Sequence, residues 1–405
     1  MRVVFLPGSF RPDRCGVSHY TAQLMAELSG RGVQSRVLTT HAAARYHQQP
    51  EVIGTTQDWG LGMLVTLPGA LLHLDADLLH IQHAAGSFAF RRPVLWLPLV
   101  LRVRGWQRPI VVTLHEYGWW EWRPRLVGWV WRRLGPWGER RSLWDREDFA
   151  LLTGADTLIV TNDTAARALM ARLPQLAPKV ERVPIGPNIP VTATDVAAAR
   201  AAVRQRFGWP AEALVISYFG FLHPVKGLET LLRAFRRVLD GQPQARLLIS
   251  GGVESLALHG DEAQRYYGKL RALIGELGLS AAVRVTGYLP EELVSQHLAG
   301  ADLGVLPFHD GVTLKSGSLL AMWAHGLPVV ATRPSLCPPQ LEGAACLVPG
   351  RDVDALADSL LRLLGDPHAR QELGTCARKA AAEYSWPAIA ERHLAIYKRL
   401  LKVRD

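Results

Sequence analysis

The sequence predicts an α/β protein with two open parallel sheets, one in each half of the chain. Short runs of apolar and β-branched residues alternate with helical patterns from end to end. A turn-rich and nearly uncharged segment at 184–190 separates two such series. The length of 405 residues also exceeds the size at which a single hydrophobic core normally stops growing. We therefore predict two α/β domains in series.

The first half holds five candidate strands, each a short apolar run. They are 3–7, 35–39, 78–83, 110–114 and 157–160. Apolar residues at helical spacing follow the first strand at 18–28 and the last at 162–173. Histidines stand in or directly after the third and fourth strands, so we expect imidazole groups at the carboxyl edge of this sheet.

The second half repeats the alternation. Its candidate strands are 214–219, 246–250, 283–287, 303–307, 328–331 and 345–348, with helices between them and after them. Open parallel sheets bind ligands outside the carboxyl ends of their strands, so we expect the site in a cleft between two facing sheets. We place the domains at 1–187 and 188–384, followed by a final helical segment at 385–405.

Composition and apolar patterning indicate an intracellular globular protein. Hydrophobic residues make up 48% of the chain and charged residues 20%. The four cysteines include no CxxC pair, which argues against a disulfide framework or zinc site and for a reducing compartment. The apolar start is too short for a signal peptide, and the longest apolar run, 93–101, is too short to span a bilayer. We expect a cytoplasmic location, soluble or peripheral on the inner face of the membrane.

Positive charge and tryptophan are concentrated in the window 91–146. This window carries 12 arginines against four acidic residues, and nine of the 13 tryptophans of the chain. Tryptophan favours the membrane interface and arginine favours anionic headgroups, and this motivates the hypothesis that the window contacts an anionic membrane surface. The alternative is that the tryptophans pack a core and the arginines form a solvated rim. No nucleic-acid-binding module is recognised, and we expect no nucleic-acid partner.

Two loops have the composition of phosphate-binding sites. The first, 220–227, joins a strand to a helix and places Lys226 beside glycines at the helix N-terminus, where the dipole also favours an anion. The second, 306–318, also enters a helix and carries Lys315, Ser316, Gly317 and Ser318. A solvated lysine and a simple serine N-cap are the alternatives. Two such loops on neighbouring strands fit a diphosphate better than one.

The first half offers further candidates for contact with a ligand. Gly16 and Val17 open the first helix, and glycine there permits close approach of a ligand to the backbone. His83 and His115 stand at strand ends, and Glu116 follows; a histidine there can hydrogen-bond a sugar hydroxyl or share a proton. His80 lies within its strand, so we interpret it as structural. No HExxH motif or calcium loop occurs, and we expect no metal ion.

Through these motifs, nearly the whole chain resembles the retaining glycosyltransferases of family 4. These have the GT-B fold, in which two Rossmann-like domains face each other across a cleft. The resemblance rests on the glycine loop at 16–18, the histidine segments at 80–83 and 111–115, the element at 219–228, and the stretch at 325–332, which is the most specific of them.

The resemblance implies a function for several of these residues. Lys226 would bind the donor phosphate, His115 would lie near the transferred sugar, Gly16 would approach the donor or the acceptor, and Gly287 with Tyr288 would line the base pocket. The first domain would bind a saccharide or lipid-linked acceptor, the second would bind a nucleotide sugar, and the final helix would cross back to the first. The reaction, in polysaccharide or glycolipid synthesis, would retain anomeric configuration without a metal or cofactor, the nucleotide sugar being a substrate.

The chain departs from the family pattern at three positions. Phe221 replaces the arginine that usually precedes the lysine, and the two glutamates of the E-x7-E element fall at Thr313 and Ala321. We interpret the chain as a divergent branch of the family. A non-catalytic glycosyltransferase-like binding or scaffold subunit is the alternative that these losses leave open. A phosphorylase of this fold would need a much longer chain.

Overall fold

The computed structural model describes residues 1–10, 15–47, 49–118, 128–254 and 258–402. The chain divides into two compact units. The first comprises Met1–Ile185 together with Trp386–Asp405, and the second is Gly186–Ser385. The boundaries predicted from the sequence are 187 and 384. Each unit is built around one parallel sheet.

The first unit contains a seven-stranded sheet in the order β3-β2-β1-β4-β5-β6-β7. All neighbouring strands pair in parallel. The strands are β1 Arg2–Pro7, β2 Gln34–Thr40, β3 Val52–Thr56, β4 Leu78–His83, β5 Ile110–Leu114, β6 Thr157–Val160 and β7 Val180–Arg182. The sequence prediction omits the two edge strands. The pattern of β3 is weak because it contains a glycine and is mostly half-buried, and β7 has only three residues.

The second unit contains a six-stranded parallel sheet in the order β10-β9-β8-β11-β12-β13. Its strands are β8 Leu214–Phe219, β9 Ala245–Ser250, β10 Val283–Val285, β11 Leu303–Leu306, β12 Val329–Thr332 and β13 Cys346–Val348. All six were predicted from the sequence to within two residues at each end. Their apolar runs are continuous because both faces of a parallel sheet are covered by helices.

Helices connect the strands in both units. In chain order, the α-helices of the described residues are α1 Gly16–Ser29, α2 His41–Ala44, α3 Met63–His73, α4 Leu97–Val103, α5 Gly128–Arg140, α6 Ala150–Thr153, α7 Asp163–Arg172, α8 Val196–Phe207, α9 Leu228–Gly241, α10 Gly260–Glu276, α11 Glu291–Gly300, α12 Gly317–Ala324, α13 Pro339–Ala344, α14 Val353–Gly365, α15 Pro367–Ala381 and α16 Trp386–Lys402. None of them is long and apolar enough to cross a membrane. The four cysteines are free thiols.

The two faces of the first sheet pack against different helices. Successive side chains of a strand point to opposite faces. In β1, Val4 and Leu6 belong to a core shared with α3, α4 and α7. Val3 and Phe5 belong to a second core shared with α1 and with α16, the final helix of the chain. The first unit is therefore completed by the C-terminal residues.

Strand order defines one special position in each sheet. In the second unit the chain runs outward from β8 to β10 on one side and from β11 to β13 on the other. The connections after β8 and β11 therefore leave the sheet side by side and diverge. Such a switch point is where open parallel sheets bind their ligands. In the first unit the corresponding switch point lies between β1 and β4.

Candidate functional site

The loop after β8 carries Lys226 to the switch point of the second unit. It runs from Gly220 through a short 3-10 helix, Pro224–Lys226, to Gly227, which precedes α9. Gly227 has a φ of 70°, and a Cβ there would lie 1.9 Å from the carbonyl oxygen of Pro307. Only glycine lets this loop approach the end of β11 so closely. The backbone amide of His309 also donates to the Val225 carbonyl at 2.9 Å, which joins the two loops.

Lys226 lies against an aromatic ring at this junction. Its Nζ is 3.7 Å from the centre of the Phe308 ring, a cation–π arrangement. Burial lowers the pKa of Lys226 to about 8. No carboxylate of the described residues contributes to the pKa of Lys226, so the ammonium group is held without a carboxylate partner there. Such a site favours an anionic ligand, because a phosphate would supply the missing counter-charge.

The loop after β11 reaches the same place and begins α12. The Oγ of Ser316 accepts from the amide of Leu319 at 3.3 Å, so Ser316 is the N-cap that the sequence suggested. The amides of Gly317 and Ser318 have no hydrogen-bond partner among the described residues. A Cβ at Gly317 would lie 3.0 Å from the side chain of Asn188, and the Asn188 amide donates to the Gly317 carbonyl at 3.5 Å. The helix therefore presents two open donors and its positive end.

A cavity of about 250 Å³ joins the two loops. It brings together three of the predicted donor-binding residues, Lys226, Lys315 and Ser316. The remaining lining residues are Val225, Phe308, Asp310, Gly311 and Thr313. The lining thus includes two lysines and one aspartate. Gly317 and Ser318 are not in its lining but follow directly in the first turn of α12.

The other predicted donor-side residues of the second unit, Gly287 and Tyr288, follow β10, which lies two strands from β8 in the sheet. Gly287 has a φ of 72°, and its carbonyl accepts from the amide of Gly251 at 3.1 Å. Tyr288 is 58% exposed, and its Cβ lies 3.5 Å from where a Cβ of Gly252 would be. A Cβ on Gly251 would in turn lie 1.9 Å from the Gly220 carbonyl oxygen. These glycines form a continuous path along the carboxyl ends of β10, β9 and β8, from Tyr288 to the loop of Lys226.

The three departures from the family pattern have different surroundings. Thr313 is exposed and lines the cavity. Ala321 is fully buried in α12, so no polar group faces a ligand from that position. Phe221 is half-buried, and its carbonyl accepts from the hydroxyl of Tyr218 at 2.9 Å. The charge that an arginine and two glutamates would bring is therefore absent from this part of the site.

His115 lies at the end of β5 in the first unit, within a buried polar network. Its Nε2 is 2.8 Å from Oε1 of Gln82, and its ring packs edge-on against Tyr20, with 5.0 Å between centroids. Burial, with a contribution from the nearby His83, lowers the pKa of His115 to about 3. The imidazole is therefore neutral at physiological pH. With Gln82 as acceptor, Nε2 carries the proton and Nδ1 is left as an acceptor.

The network continues from His115 to the final helix. Gln82 is 3.4 Å from Nε2 of His80, and Nδ1 of His80 is 2.6 Å from the hydroxyl of Tyr397 on α16. Nε2 of His80 also contacts the Thr113 hydroxyl at 2.7 Å. His80 is fully buried, in agreement with its interpretation as a structural histidine. A second contact, 2.7 Å between the hydroxyl of Tyr20 and His393, fixes α1 to the same helix.

The remaining predicted residues of the first unit are placed separately. His83 is 3% exposed, and its Nε2 is 3.0 Å from a carboxylate oxygen of buried Asp148. Burial alone would lower the pKa of His83, but the Asp148 carboxylate raises it above its usual value. Glu116 is exposed. Gly16 begins α1 at the switch point, a Cβ there would meet nothing within 4 Å, and Val17 is half-buried beside it.

Sequence reasoning missed several residues that complete these surroundings. Phe308 contacts Lys226, Gln82 and Tyr397 link His115 to α16, and Asp148 pairs with His83. Phe308 lies two residues beyond the end of β11, and this position near a strand end was an available signal. The others depend on contacts between distant parts of the chain. The described residues contain no group of three or more histidine, cysteine, aspartate or glutamate side chains arranged to hold a metal ion.

Two family models match the chain, one in each unit. Residues 15–189 match the model described as Glycosyltransferase Family 4, and residues 213–366 match Glycosyl transferases group 1. The D-inositol 3-phosphate glycosyltransferase of Corynebacterium jeikeium is 30% identical over 96% of this chain and 92% of its own. The two matched models include the region around His115 and the region around Lys226, respectively. The similarity to this relative covers both regions.

Solved structures establish the fold. Sucrose-phosphate synthase from Thermosynechococcus elongatus is similar with a TM-score of 0.69 and 21% identity, covering all of both chains. Anabaena Alr3699/HepE in complex with UDP and glucose is similar with a TM-score of 0.70 and 18% identity, covering 98% of this chain and all of its own. The fold class predicted from the sequence, α/β with two parallel sheets and the GT-B fold, is confirmed.

Proposed function

Because the chain belongs to glycosyltransferase family 4, we propose that it transfers a hexose from a nucleotide sugar to a saccharide or lipid-linked acceptor with retention of anomeric configuration. Transfer of a sugar follows from the family. The class of sugar, the stereochemical course and the acceptor are the proposal. The shared cavity of Lys226, Lys315 and Ser316 at the switch point of the second unit is the observation that carries it.

The chemistry of that cavity suits the departure of a nucleoside diphosphate. When the bond between sugar and phosphate breaks, negative charge develops on the leaving phosphate. An ammonium group held in place and open helix amides stabilise such charge without reorganising. Lys226 and the amides of Gly317 and Ser318 supply these groups. We propose that they neutralise the diphosphate without a metal ion, and that Gly287 and Tyr288 bind the base.

His115 fits a role beside the transferred sugar. Its neutral imidazole has Nδ1 available to accept a hydrogen bond from a sugar hydroxyl, while Nε2 is oriented by Gln82. Gly16 and Val17, at the first turn of α1, are candidates for contact with the donor. Glu116 and His83, near the ends of β5 and β4, are the candidates for the sugar and acceptor side. Polysaccharide or glycolipid synthesis is the process that such an acceptor supports.

A product assay tests this function. The donors are UDP- and GDP-hexoses, with UDP first because the similar HepE structure holds UDP and glucose. The acceptors are saccharides, polyprenyl-phosphate-linked sugars and D-inositol 3-phosphate, the last named for the relatives. We expect a product whose anomeric configuration, read from its proton coupling, equals that of the donor, and activity that persists in a chelator. An inverted product would exclude retention.

Two variants distinguish a catalyst from a binding subunit. Lys226→Ala and His115→Ala are both expected to abolish product, whereas Lys269→Ala, an exposed lysine of α10, is expected to retain full activity. The alternative of a non-catalytic scaffold is not favoured, since the relatives that match the whole chain are named as transferases. Donor binding with no product from any acceptor in the panel would return weight to the scaffold.

A further inference from the structure

The exposed surface of α3, α4 and α5 in the first unit combines apolar side chains with arginines. We propose that this surface, here called the tryptophan–arginine face, binds the anionic leaflet of a lipid bilayer. The sequence window 91–146 motivates the idea, and the structure both extends it and corrects it. Trp119, Trp120 and Trp122 lie outside the described residues, as does the side chain of Trp131.

Part of the window belongs to the core. Trp106 is 3% exposed and packs among the residues beneath α3 and α4. The alternative interpretation, in which the tryptophans form a core, is therefore right for Trp106. It is wrong for Trp96, Trp129 and Trp137, which are 40%, 69% and 36% exposed. Core packing does not explain these three exposed tryptophans. Tryptophan has a large apolar surface, and exposing that surface to water is unfavourable.

The apolar part of the face extends beyond the window, to α3. Leu61, two residues before α3, is 76% exposed, and Val65 and Leu72 of α3 are 62% and 46% exposed. On the neighbouring helix, Leu99 and Val103 are 48% and 79% exposed. Val65 and Leu72 of α3 are seven residues apart and Leu99 and Val103 of α4 are four apart, so each pair lies along one side of its helix. The opposite sides of both helices pack into the same core of the sheet.

A row of aromatic rings joins these exposed apolar positions to α5. Trp96 packs on Phe149 with 4.0 Å between centroids, Phe149 stacks on Trp144 at 5.9 Å, and Trp144 contacts Trp137 at 5.8 Å. A Cβ at Gly138 would lie 2.1 Å from the Trp144 ring, so α5 has a glycine where the ring crosses it. The row is therefore a built feature of the unit and makes the face continuous.

Charge decides which partner fits. The face has exposed arginines at positions 91, 104, 132, 133, 140 and 141, and Arg141 lies 4.5 Å from the centre of the Trp137 ring. Residues 89–104 and 59–74 contain no acidic residue. The two carboxylates of the described part of 128–146, Glu139 and Asp145, are buried. A lipid interface matches this combination, because it offers anionic headgroups for arginine and an apolar boundary for tryptophan and leucine.

Vesicle flotation with the full chain tests the proposal. The probes are vesicles of phosphatidylcholine alone and of equal parts phosphatidylglycerol and phosphatidylcholine, at low and at physiological salt. We expect flotation with the anionic vesicles only, weakened by salt. Absence of binding to anionic vesicles would overturn the proposal. A lipid contact would also be seen as quenching of tryptophan emission by brominated lipid, and its absence would argue against insertion.

Matched variants locate the contact. Arg132, Arg133, Arg140 and Arg141 are changed together to glutamine, and the control carries the same change at the exposed arginines 206, 233, 265 and 271 of the second unit. We expect the first variant to partition roughly 100-fold more weakly into anionic vesicles. The control is expected to lose far less. Equal losses would mean attraction by net charge alone and would overturn the assignment to this face.

A second pair separates a lipid from a protein partner. Val65, Leu99 and Val103 are changed together to serine, and the control changes the exposed Val191, Val196 and Leu336. We expect the first variant to partition into the vesicles roughly tenfold more weakly than the wild type, and the control to partition as the wild type does. Both variants are expected to unfold as the wild type does. The other outcome is that the wild type self-associates in sedimentation, the first variant is monomeric, and neither protein binds vesicles. The face would then be a protein interface, and the proposal would fail.

Discussion

The Nζ of Lys226 lies 3.7 Å from the centre of the Phe308 ring, which joins the loop after β8 to the loop after β11. The ring covers one side of the ammonium group, and the surrounding burial lowers the pKa of Lys226 to about 8. The ammonium group of Lys226 has lost part of its hydration and contacts an aromatic ring instead, and a bound phosphate would supply a full counter-charge. The contact between Lys226 and Phe308, and the hydrogen bond between His115 and Gln82, lead to specific expectations.

Loss of the Lys226 charge is expected to weaken donor binding. A hydrogen bond to a charged group is worth about 1.5–3 kcal/mol, which corresponds to roughly 10- to 150-fold in the dissociation constant. Calorimetric titration of Lys226→Ala with UDP measures this. Lys269→Ala, on the exposed side of α10, is the control and is expected to bind as the wild type does. Equal affinity of Lys226→Ala and wild type would contradict the assignment.

Donor binding is expected to take up a proton near pH 8. Lys226 is partly neutral there in the free protein, because its pKa is lowered to about 8. A bound phosphate favours the ammonium form and raises the pKa, so the free lysine gains a proton on binding, and affinity falls as the pH rises above about 8. Titration in buffers of different ionisation enthalpy measures the uptake. Lys226→Arg, which stays charged, is expected to show none.

Gly227→Ala is expected to destabilise the second unit more than Gly208→Ala. Both glycines have a left-handed φ, 70° and 65°, so alanine costs about 1–2 kcal/mol of backbone strain at either. A Cβ meets nothing within 4 Å at Gly208 but lies 1.9 Å from the Pro307 carbonyl oxygen at Gly227, which adds about 1–3 kcal/mol. Urea unfolding of the two variants measures the difference. Equal effects would mean that the close approach to β11 has no energetic weight.

Gln82→Leu is expected to lower kcat and leave donor binding unchanged. The substitution removes the acceptor that orients Nε2 of His115 at 2.8 Å, so the imidazole can rotate or change tautomer. We expect kcat to fall roughly tenfold or more, in line with the loss of one hydrogen bond of about 0.5–1.5 kcal/mol together with the lost orientation. The titration with UDP is expected to match wild type, and Gln34→Leu on the exposed part of β2 is the control. A weaker donor affinity with unchanged kcat would contradict this role.

The central strands and the phosphate loops could be predicted because their signals are local. Buried strands of a parallel sheet are continuous apolar runs, and the carboxyl ends of neighbouring strands lie together whatever the rest of the chain does. That is why Lys226 and Lys315, 89 positions apart in the sequence, share one cavity as expected. The edge strands β3 and β7 have little such signal, being half-buried or three residues long.

The contacts that complete the two sites could not be predicted, because they join distant segments. His80 meets Tyr397 across 317 positions, and Tyr20 meets His393 across 373. None of these four residues lies in a local sequence pattern that would identify its partner. The approach of Gly227 to Pro307 could not be predicted either, because a glycine in a sequence indicates only that a turn is possible there and not which backbone it will contact. Surface patterns behave likewise: the arginine-rich window was visible, but α3 joined the same face only in three dimensions.

A crystal structure of the chain with bound UDP tests the central claim most directly. We predict that the diphosphate occupies the cavity between the loops after β8 and β11, with phosphate oxygens about 2.7–3.2 Å from Nζ of Lys226 and from the amides of Gly317 and Ser318. A diphosphate bound elsewhere in the protein, with Lys226 still covered by the Phe308 ring and in contact with no phosphate, would contradict it.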